Sequence, residues 1–127
     1  MHEGTILLVD DEEMILSITG QMLRHVGYDV LAADSGAAAI KLFREHADDI
    51  RLTILDLSMP EMSGEEVFVK LRQIRGDAVI ALSTGLADDG EIPQISGIEA
   101  SGFINKPYEM TTLLNAVTDI IGRSEVS

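Results

Sequence analysis

The sequence predicts an open α/β fold in which one parallel sheet is covered by helices. Three observations carry that expectation. Short apolar runs rich in β-branched residues alternate with longer amphipathic stretches, which is the pattern of successive βαβ units. Acidic, hydroxyl and lysine residues recur just past the apolar runs, where ligands of such sheets bind. The 127 residues fit a single domain able to close its own core, with no cysteine available for a disulfide framework.

The first run is Thr5 to Val9, followed by Met14, Ile15, Ile18, Met22 and Val26 at helical spacing and by Gly27 as a stop signal. The second runs from Tyr28 to Ala33, and a helix follows from about Ser35 to Ala47, with Asp34 or Ser35 as its N-cap. Leu52 to Leu55 forms the third strand, ending at Asp56. A loop through Pro60 and Gly64 then leads to a helix carrying Val67, Phe68, Leu71 and Ile74, which stops at Gly76-Asp77. Ala78 to Leu82 is the fourth strand and Gly102 to Asn105 the fifth. Between them, Gly90, Pro93 and Gly97 weaken a helix whose apolar face is Ile92, Ile95 and Ile98. A last helix carries Met110, Leu113, Leu114, Val117, Ile120 and Ile121, and residues 123–127 read as a tail beyond a core of about 5–122.

Composition removes several function classes. Asp plus Glu number 22 against 9 Lys plus Arg, a formal charge of −13 that repels a phosphate backbone and speaks against direct nucleic-acid binding. No apolar run approaches the ~20 residues of a membrane span, and the N-terminus has no signal-peptide core, so the expectation is a cytoplasmic domain with no membrane partner. His2, His25 and His46 lie outside the strand-end loops and read as surface or helix-end residues.

The strand ends hold the chemistry. Asp10, Asp11, Glu12 and Glu13 follow the first strand, Asp56 ends the third, Ser83 and Thr84 follow the fourth, and Lys106 follows the fifth. Carboxylates gathered on one rim repel each other, and a hard divalent cation such as Mg²⁺ resolves the conflict through oxygen ligands. A carboxylate beside that cation, Asp56, is suited to attack phosphorus and become an acyl phosphate. Lys106 supplies a mobile positive charge for a carboxylate or a phosphoryl oxygen, and Thr84 a hydroxyl for the same group. The Lys106-Pro107 bond is of the one type that adopts cis with any frequency, trans being the favoured form, and a cis bond there would hold the Lys side chain over the pocket.

Together these residues resemble the receiver domain of two-component response regulators, of the chemotaxis-regulator type. The likeness runs from Ile6 to about Ile121 through Leu-Leu-Val-Asp10-Asp11-Glu, Leu-Asp56-Leu-Ser-Met-Pro60, Gly64, Leu-Ser-Thr84-Gly and Phe103-Ile-Asn-Lys106-Pro107-Tyr. The resemblance implies a flavodoxin-like, doubly wound sheet of five parallel strands in the order 2-1-3-4-5, with helices on both faces. It implies that Asp56 is the phosphoacceptor, that Asp10 and Asp11 bind Mg²⁺ directly or through water, and that Ser58 adds a backbone carbonyl. Thr84 becomes the switch hydroxyl, with Ser83 its rival, Lys106 the lysine of the site, and Phe103 the aromatic that turns inward on activation.

The implied phosphoryl donor is a histidine kinase or a histidine phosphotransfer protein. The fourth helix, fifth strand and last helix form the implied output face, read by a downstream protein or a fused output domain. The chain is then a stand-alone regulator or the receiver of a hybrid histidine kinase, monomeric or weakly dimeric, and a signalling domain rather than an enzyme. The competing reading is a Mg²⁺-dependent phosphohydrolase with an aspartyl-phosphate intermediate. Such enzymes place a second Asp two residues after the nucleophile, where this chain has Ser58. A flavodoxin is a weaker alternative, since two Tyr and no Trp leave little to sandwich a flavin.

Overall fold

The computed structural model describes residues 4–56, 64–84, 102–105, 114–115 and 117–121. The elements run β1 (Thr5–Val9), α1 (Glu13–His25), β2 (Asp29–Ala33), α2 (Gly36–His46), β3 (Ile50–Asp56), α3 (Gly64–Ile74), β4 (Ile80–Thr84) and β5 (Gly102–Asn105). Residues 114–115 and 117–121 are helical and belong to the expected last helix. All strands pair in parallel in the order β2-β1-β3-β4-β5, as the resemblance implied. The helix expected between the fourth and fifth strands, with Pro93 and Gly97, lies outside the described residues, as do Met110 and Leu113.

The sheet carries a core on each face. Leu7, Val9, Leu55, Ile80 and Leu82 pack with Ala39 and Phe43 of α2 and Val67, Phe68 and Leu71 of α3. Ile6, Leu8, Leu52, Ile54 and Ala81 pack on the other face with Leu23 of α1 and with Val117, Ile120 and Ile121. Because successive strand residues point to opposite faces, both sets must be apolar, and this is why β1 reads as an unbroken hydrophobic run. A register shift between Thr5 and Ile6 pairs Thr5 with Ile50 and Ile6 with Leu52, which turns Ile50 toward the α2/α3 face while Leu52 and Ile54 face α1.

The helix ends follow local chemistry. Of the two candidate caps for α2, Ser35 is the one used, its Oγ accepting from the Ala38 N–H at 3.2 Å. Helix α1 stops where Gly27 takes a positive φ of 106°, with Gly27 N–H donating to Arg24 O and Tyr28 N–H to Leu23 O. That pair of bonds is a Schellman motif, and Leu23 and Tyr28 share the same apolar cluster, as such ends favour. His25 and His46 are the last residues of α1 and α2, at the helix ends expected for them.

Several strand boundaries differ from expectation, β2 starting at Asp29 rather than Tyr28. Strand β3 starts at Ile50 and keeps Asp56 as its last residue. Strand β4 begins at Ile80 and includes Ser83 and Thr84, which were expected beyond its end. The physical reason is ladder pairing: Asp56 is in register with Ser83, and Thr84 with Asn105, so hydrogen bonding carries β4 past its apolar stretch.

Near the opposite end of the sheet, Arg75 ties two loops together. Its Nη1 donates to Ala47 O at 2.6 Å and its Nε to Asp77 Oδ1 at 2.8 Å. The guanidinium holds the Asp77 carboxyl below its ordinary 3.8, through the hydrogen bond first and the charge second. A depressed carboxylate stabilises above its unfolded pKa and loses that contribution as pH falls through the folded value, though full exposure screens it here. In Arg75→Ala, NMR titration is expected to show Asp77 protonating at higher pH than in the wild type. A second expectation concerns Gly20, buried in α1, where an added Cβ would meet nothing closer than Arg24 Nη1 at 3.4 Å. Gly20→Ala should therefore stabilise the fold by about 0.5–1 kcal/mol in urea unfolding, by removing glycine's backbone entropy cost.

Candidate functional site

Parallel register assembles the site. Leu8 pairs with Ile54 and Val9 with Leu55, so the next step along each strand brings Asp10 beside Asp56. Asp10 lies two residues beyond Leu8, and Asp56 two beyond Ile54, so both carboxylates stand on the α1 face of the sheet. Asp10 is 3% exposed and Asp56 is 1% exposed. Asp11, at the entrance to α1, is exposed. Carboxylate oxygens of Asp10, Asp11 and Asp56 all lie within 4.8 Å of one another.

Backbone chemistry fixes one member of the group. Asp10 Oδ1 accepts from the Glu12 N–H at 2.9 Å, an Asx-type turn that launches α1. Glu12 itself occupies the N-cap position and makes no side-chain cap bond. Asp10 thus serves the helix start with one oxygen, while its Oδ2, like that of Asp56, is shielded from solvent. Sequence reasoning missed this second duty, although an Asp two residues ahead of a helix entry is the signal that announces it.

Two buried unit charges 4.8 Å apart repel by on the order of 3 kcal/mol at an effective dielectric of 20. Burial and mutual repulsion are both relieved by a hard cation with oxygen ligands, and an all-carboxylate set is the donor chemistry that Mg²⁺ accepts. The residues present therefore fit a divalent cation. Asp10, Asp11 and Asp56 would hold it.

The remaining expected site residues divide by location. Thr84 and Phe103 lie in adjoining strands, Thr84 in register with Asn105 and Phe103 with Leu82. Ser58 and Lys106 lie outside the described residues. Ser83 stands in register with Asp56 and is fully buried. Among the described residues no helix is long and apolar enough to cross a membrane.

An open parallel sheet with a carboxylate cluster at the carboxyl end of its inner strands defines a class: α/β domains that bind ligands at this edge. The profile of the response regulator receiver domain matches residues 6–118, and the chain belongs to that family. It is 35% identical over 124 residues to the alkaline phosphatase synthesis transcriptional regulatory protein PhoP of Bacillus subtilis, a match covering 96% of this chain and 50% of that protein. A response regulator receiver domain protein from Clostridium thermocellum superposes with a TM-score of 0.81 at 26% identity, covering 97% of this chain and 98% of the other. The receiver domain of the hybrid histidine kinase CckA superposes with a TM-score of 0.77 at 31% identity, covering 93% and 99%. The chain spans about half the length of the first curated relatives it matches. It is a signalling domain of phosphorylation-based, two-component type, and receivers of both response regulators and hybrid kinases share its fold.

The carboxylate cluster makes a stability prediction. Asp11→Asn removes one like charge, so in cation-free buffer it should raise the unfolding free energy measured in urea by about 0.5–1 kcal/mol for an exposed group. The same variant should gain less stability from added Mg²⁺ than the wild type, since ligand binding to the native state alone is what stabilises it.

Proposed function

We propose that this receiver accepts a phosphoryl group on Asp56 in a Mg²⁺-dependent reaction, the donor being a phosphohistidine on a histidine kinase or histidine phosphotransfer protein. The observation that carries the reading is the buried Asp56 carboxylate held at the sheet edge within 4.8 Å of the oxygens of Asp10 and Asp11. In the transfer, an Asp56 oxygen attacks phosphorus and a P–O bond forms. The P–N bond breaks, and its electron pair returns to the donor imidazole, which takes up a proton. Asp10, Asp11, Asp56 and the Ser58 carbonyl would hold Mg²⁺, which would supply positive charge against the negative charge of the incoming phosphoryl group.

Each side chain has a distinct task in this reading. Asp10 is oriented by the Glu12 N–H, which keeps its carboxylate from rotating away from Asp56. Lys106 pairs with a phosphoryl oxygen after transfer, and Thr84 donates its hydroxyl to the same group. Phe103, on the strand next to Thr84, turns inward as Thr84 is drawn toward the phosphate. The face formed by the segment between β4 and β5, by β5 and by the last helix then changes its population of states, and a downstream protein or fused output domain reads it. Residues 1–127 act as a single cytoplasmic receiver, monomeric or weakly dimeric, that assists its own phosphotransfer and dephosphorylation without turning over an external substrate.

Incubation with acetyl phosphate and Mg²⁺ should add the mass of one phosphoryl group to the intact protein. The gain should vanish with a chelator and in Asp56→Ala. A wild type that stays unlabelled with acetyl phosphate and with a phosphorylated histidine phosphotransfer protein would overturn the assignment, and repeated turnover of small phosphomonoesters would favour the phosphohydrolase.

A further inference from the structure

The β3–β4 ladder places one residue beside Asp56 that the proposed mechanism leaves without a task. Ser83 is the register partner of Asp56. Residues in register on parallel strands project from the same face, and neighbouring strands lie only ~4.8 Å apart. The facing is confirmed along β4 itself: Ala81, two residues earlier, packs with Leu52 and Ile54 on the α1 face, while Ile80 and Leu82 pack on the other. Ser83 is 0% exposed, Asp56 1% and Asp10 3%, so a serine completes a buried row of polar side chains at the carboxyl ends of β1, β3 and β4.

Ser83 interrupts the apolar run of β4. The residues before it in β4, Ile80, Ala81 and Leu82, are all apolar and buried, and an alanine or valine would continue that pattern. A group one strand spacing from a carboxylate comes within hydrogen-bonding reach of whatever is attached to that carboxylate. Phosphoryl oxygens are strong acceptors, and a bond to one from a neutral hydroxyl is charge-assisted.

We propose that Ser83 is a phosphoryl-binding residue: its Oγ–H donates to an oxygen of the phosphoryl group on Asp56, from the β4 side of the site. This rests on Asp56 being the phosphoacceptor, and it adds a donor separate from Thr84. It also explains why β4 keeps its ladder through residue 83, since the register holds the hydroxyl beside the acceptor.

The test uses trifluoroberyllate, a stable tetrahedral stand-in for a phosphoryl group, titrated into the protein at saturating Mg²⁺ and followed by calorimetry and amide NMR shifts. Ser83→Ala should weaken its binding about tenfold, the scale expected for one charge-assisted hydrogen bond. Ser83→Thr should stay within about threefold of wild type, and Ser83→Val, which has the shape of threonine without the hydroxyl, should match the alanine variant. Affinity for Mg²⁺ alone should be unchanged in all three, a result that a merely structural role would not give. If Ser83→Ala and Ser83→Val bind trifluoroberyllate within twofold of wild type, the inference is overturned while the Asp56 assignment stands. Should Ser83→Ala fail to fold, the threonine and valine pair decides the matter. A wild type that neither binds the mimic nor accepts a phosphoryl group overturns the Asp56 assignment and this inference with it.

Discussion

Parallel registration of β1 against β3 is the constraint on which the rest depends. Once Leu8 is opposite Ile54 and Val9 opposite Leu55, Asp10 and Asp56 have no other place to go. Both are driven below the surface by elements that are apolar for their own reasons, and their charges are left to repel each other across less than 5 Å. The apolar strands supply the force that holds this arrangement. Leu7, Leu52, Leu55 and Ile80 are completely buried, and each buried Leu or Ile side chain contributes about 1.5–3 kcal/mol, so the core tolerates a conflict of a few kcal/mol at its edge. The conflict is therefore local to the sheet edge, where a hard cation would relieve it.

The two faces of the sheet divide the work. On the α2/α3 side the described core is apolar packing, from Phe43 and Leu71 to Leu55 and Leu82, with Arg72 laid over the Phe68 ring at 4.8 Å. On the α1 side the same packing ends, at the carboxyl edge, in Asp10, Asp56 and Ser83. Helix α1 starts directly from that edge, and the Asp10 carboxylate that belongs to the site also accepts the backbone N–H of Glu12. One hydrogen bond thereby ties the site to the start of a helix. The β3–β4 and β4–β5 ladders tie it to the neighbouring strands, since Ser83 and Thr84 are consecutive residues in register with Asp56 and Asn105.

Membership of the receiver family agrees with the charge balance. A formal charge of −13 suits a domain with a carboxylate cluster at its sheet edge, and the relatives it matches run to about twice its length. Receivers of this shape occur in transcriptional regulators and in hybrid kinases alike, so the domain supplies the phosphorylation switch and its surroundings supply the consequence.

Much of this was legible in the residues alone. Alternating apolar runs and amphipathic stretches determined the α/β class, Gly27 the end of α1, and the acidic pair after Val9 together with Asp56 the place of the candidate site. These features are local, written in periodicity and in single residues with strong conformational or chemical preferences. The end of β4 was not legible, because Ser83 and Thr84 lack the apolar pattern of a strand and are held in it by pairing with β3 and β5. The choice of Ser35 over Asp34 as a cap, the second duty of Asp10, and the facing of Ser83 toward Asp56 were likewise decided by tertiary structure. Each depends on which strand lies beside which and in what register, a long-range relation set by burial of both sheet faces at once and absent from any short stretch of sequence.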